Sequence, residues 1–140
     1  MNKKSKASLI LAAVSLIISI FLLVGINFIF PACGLHDDGS YASCHWAGQA
    51  VLAAAIMLTA MSLAALILPA KQCMGCSICL AVCAVVTAII PDTFIKLCMM
   101  PTMKCQASMK PWVIGCGAVI AVIAVINTII NAKGNGQDEK

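Results

Sequence analysis

The chain has 140 residues, 62% of them hydrophobic and only 10% charged, with a formal net charge of +4 and a mean hydropathy of +1.04. Soluble domains carry roughly 25% charged residues, so this composition points to the membrane. All nine basic residues are lysines scattered over tails and loops. That pattern offers no basic tract for nucleic acid, and the connections are too short to hold a soluble catalytic module.

Four apolar stretches follow in order, at residues 8–30, 47–68, 72–90 and 112–131. Each is near the roughly 20 residues that a helix needs to cross a bilayer core. None alternates as a strand would, and only helices or closed barrels satisfy their backbone in lipid. The expected fold is all-α: one membrane domain, an antiparallel up-down bundle of four transmembrane helices. The first stretch begins like a secretory signal, with Lys3, Lys4 and Lys6 at its head. Its apolar run exceeds the roughly 7–15 residues of a signal core, and no small-x-small site closes it. It is read as an uncleaved span. Pro31-Ala32-Cys33 after Phe30 is likewise a poor lipoprotein signal.

Lysine placement orients the bundle. Lys3, Lys4, Lys6, Lys71, Lys133 and Lys140 fall on one side, and Lys96, Lys104 and Lys110 on the other. Both termini and the turn at 69–71 are therefore expected in the cytoplasm, with loops 31–46 and 91–111 outside and a disordered tail over 133–140. Pro31, Pro69, Pro91 and Pro111 mark the span ends, where a missing N–H does least harm. Trp46 and Trp112 lie at the external ends, where indole rings prefer the headgroup layer. The short 69–71 turn makes the second and third helices neighbours. Alanines and glycines of the second and fourth stretches favour close helix packing. Asn27, Gln49, Thr59, Ser62, Thr87, Asn127 and Thr128 are the polar groups expected inside, and no ionisable residue other than cysteine lies in a span. Pumps, transporters and channels depend on ionisable groups in their spans, so those classes are disfavoured.

Nine cysteines carry the chemistry. Cys33 and Cys44 fall in the first loop, Cys98 and Cys105 in the second. In an oxidising compartment an even set of this kind reads as disulfides, one per loop or crossing between loops, with three pairings open. His36 and His45 join the first pair as a possible zinc set, at a spacing that matches no standard finger. Cys73, Cys76, Cys79 and Cys83 repeat the C-x₂-C-x₂-C-x₃-C spacing of bacterial ferredoxins. They sit in an apolar helix and lack the usual following proline, so small-residue packing is preferred over a cluster. Within that run Cys76, Cys79 and Cys83 share a helix face, and Cys73-x-x-Cys76 is a candidate redox pair. Cys116, alone in the fourth span, reads as packing.

Three segments resemble a known family. Pro31-Ala32-Cys33 closes the first span, Cys44-His45-Trp46-Ala47-Gly48-Gln49-Ala50 opens the second, and Cys98-Met99-Met100-Pro101-Thr102-Met103-Lys104-Cys105 precedes the fourth. In these features the chain resembles the small prokaryotic four-helix membrane proteins grouped as domain of unknown function 4418. The resemblance covers nearly the whole chain. It implies the four-helix fold and a role for the external face, with His45, Trp46, Gln49 and Pro101 as motif residues, and supplies no activity. Cys33, His36, Cys44, His45, Met99 and Met103 there form a Cys/Met/His set of the soft kind that suits copper(I).

The sequence therefore leads to a multi-pass protein of the cell (inner) membrane, an accessory or assembly component rather than an enzyme, with cysteine-tied external loops. No cofactor is expected. Its partners would be the lipid bilayer and a membrane protein such as a permease or export complex, or further copies of itself. One alternative is a membrane thiol-disulfide oxidoreductase using Cys33, Cys44, Cys98 and Cys105, with His45 as acid/base beside Cys44. The other is soft-metal binding at the external face.

Overall fold

A computed structural model describes residues 6–29, 43–95 and 105–137. Four helices account for nearly all of them: α1 Lys6–Val24, α2 Ser43–Ile67, α3 Ala70–Ile89 and α4 Lys110–Gln137. Three carry π-wound turns, Gly25–Ile29 after α1, Ile90–Phe94 after α3 and Cys105–Met109 before α4. Leucine, isoleucine, valine and alanine fill the helices, and with no water in hydrocarbon each backbone must bond within its own segment. All four are long and apolar enough to cross a membrane.

Each helix buries one narrow seam. Along α1 and its π-turn it is Ser8, Ala12, Ser15, Ser19, Leu22 and Ile26, and along α2 it is Ala47, Val51, Ala55, Leu58, Ser62 and Ala65. On α3 it is Cys73, Ser77, Leu80, Ala84 and Thr87. Met109 leads into the α4 seam of Val113, Gly117, Ile120, Ala124, Asn127 and Asn131. Steps of three and four average a period near 3.5, the repeat of left-handed knobs-into-holes bundles. Outside the seams, Leu9, Ile17, Phe21, Phe28, Val82, Val122 and Ile129 are exposed, as suits side chains that meet lipid.

The joints between helices follow from small residues. A Cβ added at Gly117 would lie 2.9 Å from Ala88 Cβ and 3.0 Å from the Ala84 carbonyl oxygen, so α4 lies against α3 almost backbone to backbone. Only Leu68 and Pro69 separate α2 from α3. Pro69 (φ −64°, ψ 160°) caps α3, and its carbonyl accepts the Cys73 N–H at 2.9 Å. Proline suits that position because it has no N–H to leave unpaired. Pro111 falls within the first turn of α4 for the same reason. Pro91 sits inside a π-turn, where wider winding eases the clash of its ring with the preceding turn.

Three expectations change. The tail expected from residue 133 is helical as far as Gln137, because Ala132, Lys133 and Gln137 suit a helix and the intervening glycines only weaken it. Asn27 and Gln49 are exposed rather than interior, and Asn27 Nδ2 donates to its own helix at Leu23 O, 3.0 Å. The face shared by Cys76, Cys79 and Cys83 is a flank: Cys79 is exposed and the other two are half-buried. The true α3 seam runs through Cys73 instead.

Candidate functional site

Three of the motif residues, His45, Trp46 and Gln49, lie where α2 begins. His45 is half-buried and meets the Trp46 ring edge-to-face, with centroids 6.0 Å apart at 82°. Trp46 is 61% exposed, and Gln49 is exposed one turn further on. Cys44 lies in the first turn of α2, and Cys105 opens the π-turn before α4. For those two only the backbone is described. Cys33, His36, Cys98, Met99, Pro101 and Met103, most of the residues expected to form loop disulfides or a soft-metal set, lie outside the described residues.

Beside this motif α1 is clasped to α4. The indole of Trp112 covers Gly25, where an added Cβ would come 2.5 Å from Trp112 Nε1. Its ring also stacks at a tilt on Phe21, 4.8 Å between centroids. Glycine is required at residue 25 because the indole fills the space a side chain would need. Met109 is buried in the same core cluster as Leu22, Ile26, Val51 and Val113. Sequence reading passed over Met109, although its four-residue spacing to Val113 and Gly117 sets it on the α4 seam. The π-turns on α1 and α3 both touch α2. Such turns are rare and recur at functional sites, which marks this end of the bundle as the irregular one.

At the other end the core is polar. Asn131 Nδ2 donates to Asn127 Oδ1 at 3.1 Å and to Cys73 Sγ at 3.8 Å. Asn127 Nδ2 donates to Ser77 Oγ at 3.1 Å. The Cys73 thiol donates to Ala65 O at 3.5 Å, and the Cys76 thiol to Met61 O at 3.4 Å. These side chains stitch α4 to α3 and α3 to α2. Ser15 and Ser19 bond back to Ala12 O and Ser15 O, and Ser19 Oγ lies 3.5 Å from Ser62 Oγ on α2. Ser8 Oγ is buried with no hydrogen-bond partner among the described residues. Of this group the sequence pointed to Asn127 and Ser62 as interior polar groups and to Cys73 and Cys76 through their spacing. The heptad spacing 8-12-15-19 on α1 and 73-77 on α3 was the signal that could have found the rest.

This geometry settles part of the cysteine question. Cys73, Cys76, Cys79, Cys83 and Cys116 are thiols, none in a disulfide. On α3, Cys73 and Cys76 donate to different carbonyls, Cys79 is exposed and Cys83 packs against the apolar cluster, and among the described residues no three of His, Cys, Asp or Glu come together to hold a metal. The ferredoxin spacing is thus wound on one regular helix, where a cluster cannot collect its ligands. Cys73 and Cys76 act as small side chains with weak S–H donors.

On the outer surface Val82 and Val86 form a ridge between two apolar grooves. One, about 260 Å³, lies between α3 and α4 over Ala81, Val85, Ala121 and Val125. The second, about 150 Å³, lies between α2 and α3 over Ala54, Met57, Cys83 and Thr87. Gly75, Cys79, Gly115 and Ala118 are exposed on the same two helices.

No curated protein and no solved structure matches the chain. The family described as Domain of unknown function (DUF4418) matches residues 15–130, which reaches into all four helices and takes in the Cys-His-Trp motif at the start of α2 and the Cys-Met-Met-Pro motif before α4. The chain belongs to the DUF4418 family.

Proposed function

We propose that this membrane protein is an accessory or assembly component that packs against a larger membrane complex through α3 and α4. The observation that carries this reading is the ridge of Val82 and Val86 with an apolar groove on either side. Helices associate in lipid by close packing rather than by hydrophobicity, and small or β-branched residues allow that approach. The outer face of α1 differs, with Ile10, Ile17, Phe21 and Phe28 projecting outward.

The bundle runs up and down, its helices antiparallel. This is supported by pairs such as Asn131–Cys73, Asn127–Ser77 and Gly117–Ala88, which step in opposite directions along α4 and α3. Lysine placement puts both termini in the cytoplasm of a cell whose inner membrane holds the protein. Loops 31–46 and 91–111 then face outward, where Cys33, Cys44, Cys98 and Cys105 tie them as disulfides.

The test is photocrosslinking in native membranes. A photoreactive amino acid replaces Val82 or Val86, and Ile17 serves as the control on α1. One polypeptide joined from both α3 positions and not from Ile17 is expected. Lipid adducts alone, or the same products from all three positions, would sink the accessory reading.

A further inference from the structure

The core changes character along its length. One continuous apolar cluster runs from Met109, Val113 and Ile26 to Leu58, Leu80 and Ala124. A second and much smaller one holds Ala12, Ala65 and Cys73. Between and around them the buried positions are Ser15, Ser19, Ser62, Ser77, Asn127 and Asn131, drawn from all four helices. Ser8 adds a hydroxyl 1% exposed and without a hydrogen-bond partner among the described residues.

We propose that this polar half of the core is a hydrated vestibule, entered by water from the end where Ala65, Cys73 and Asn131 meet and closed by the apolar cluster at Leu58 and Leu80. It stands independently of any partner at α3 and α4.

The argument is one of alternatives. Buried amides and hydroxyls cost little to separate only where another donor or acceptor replaces the first, and lipid supplies none. Water does. In this half the contacts are polar and small, and the α2–α3 links are thiol–carbonyl bonds, the weakest donors present. Opening here exchanges one set of hydrogen bonds for another. In the other half Leu22, Val51, Leu58, Val113 and Ile120 would lose packing and gain nothing. An unpartnered Ser8 hydroxyl points the same way, since buried polar groups of native proteins almost always bond to protein or water.

Native thiols report on each region. Cys73 is inside the polar tract, Cys79 faces lipid, and Cys116 flanks the apolar half. The full-length protein in lipid nanodiscs, open to solution on both faces, is treated with sulfonatoethyl methanethiosulfonate. Modification is followed site by site by mass spectrometry. The charged reagent reaches a thiol only through water, so Cys73 should react at least about tenfold faster than Cys79 and Cys116, given the cost of a charge in hydrocarbon. Cys73 reacting no faster than those two shows a dry core and overturns the proposal. Equal and rapid reaction of all three reports a loosened bundle and overturns it as well.

Discussion

The two halves of the bundle share one heptad register and fill it differently. Around Trp112 the seams hold Leu22, Ile26, Val51, Met109 and Val113, with an indole laid over a glycine. Around Cys73 they hold serines, asparagines and a thiol. The first half coheres by shape and the second by hydrogen bonds. In lipid that difference matters more than in water, because burying Leu or Val gains little when the solvent is itself apolar. Packing in the Trp112 half must therefore be close to contribute, and bonds in the Cys73 half must be satisfied to avoid a penalty.

The largest effect is expected beyond the Trp112 half, in the loops. If Cys33, Cys44, Cys98 and Cys105 are disulfides, reduction should lower stability by about 2–4 kcal/mol and leave the Cys73 half unchanged by hydrogen exchange. Labelling intact cells with a membrane-impermeant maleimide checks the premise: these thiols should react only after reduction. Reaction without reduction removes the staple and turns attention to the metal content of the purified protein. Cys33→Ser should expose Cys44 if pairing is local, and Cys98 or Cys105 if it crosses between loops.

Next comes Gly117→Leu. The new side chain has no room against Ala84 and Ala88, and overpacking costs about 1–3 kcal/mol. Gly115→Leu is the control, because nothing lies within 4 Å of its added Cβ. Thermal midpoints in one detergent should separate the two variants clearly. Equal midpoints would mean that α3 and α4 are not in backbone contact.

Asn127→Ala probes the other half. It strips Ser77 of a donor and Asn131 of an acceptor, one bond between helices and one within α4, for a loss of about 1 kcal/mol where polar contacts in bilayers average about 0.6 each. Asn127→Asp keeps the acceptor that Asn131 uses and loses the amide donated to Ser77. Gly25→Ala should cost about 1 kcal/mol, as Trp112 is pushed from its seat. In a Trp46→Phe background the shift of Trp112 emission reads that movement directly, and an unchanged spectrum would refute the clasp.

Much of the fold was legible because lipid leaves the sequence few options. Length and hydropathy of the apolar runs are enough to declare four helices, and the Cys-His-Trp and Cys-Met-Met-Pro segments carry the family. The interior was less legible. Hydropathy weighs serine the same wherever it falls, so Ser8, Ser15, Ser19 and Ser77 drew no attention, although heptad spacing puts them inside. Asn27 and Gln49 were expected inside because they lie within apolar runs, yet both sit off the seam. Position around the helix decided burial, not the residue type. For Cys33, His36, Cys98, Met99 and Met103 the question lies in chemistry beyond helix geometry.

The smallest expected effect is the sharpest test of how the polar half is built. Ser62→Ala removes one partner of the 3.5 Å side-chain contact that Ser19 on α1 makes with Ser62 on α2. The loss should stay below about 0.5 kcal/mol, since polar contacts between helices in bilayers average about 0.6 and this one is long. Ser19 also keeps its bond to Ser15 O at 2.8 Å, so no buried donor is orphaned. Asn127 differs because two neighbours depend on it. If Ser62→Ala cost as much as Asn127→Ala, hydroxyl pairs would be holding α1 to α2 as firmly as the amide ladder holds α3 to α4. The polar half would then be a locked core, and water would have no cheap way into it.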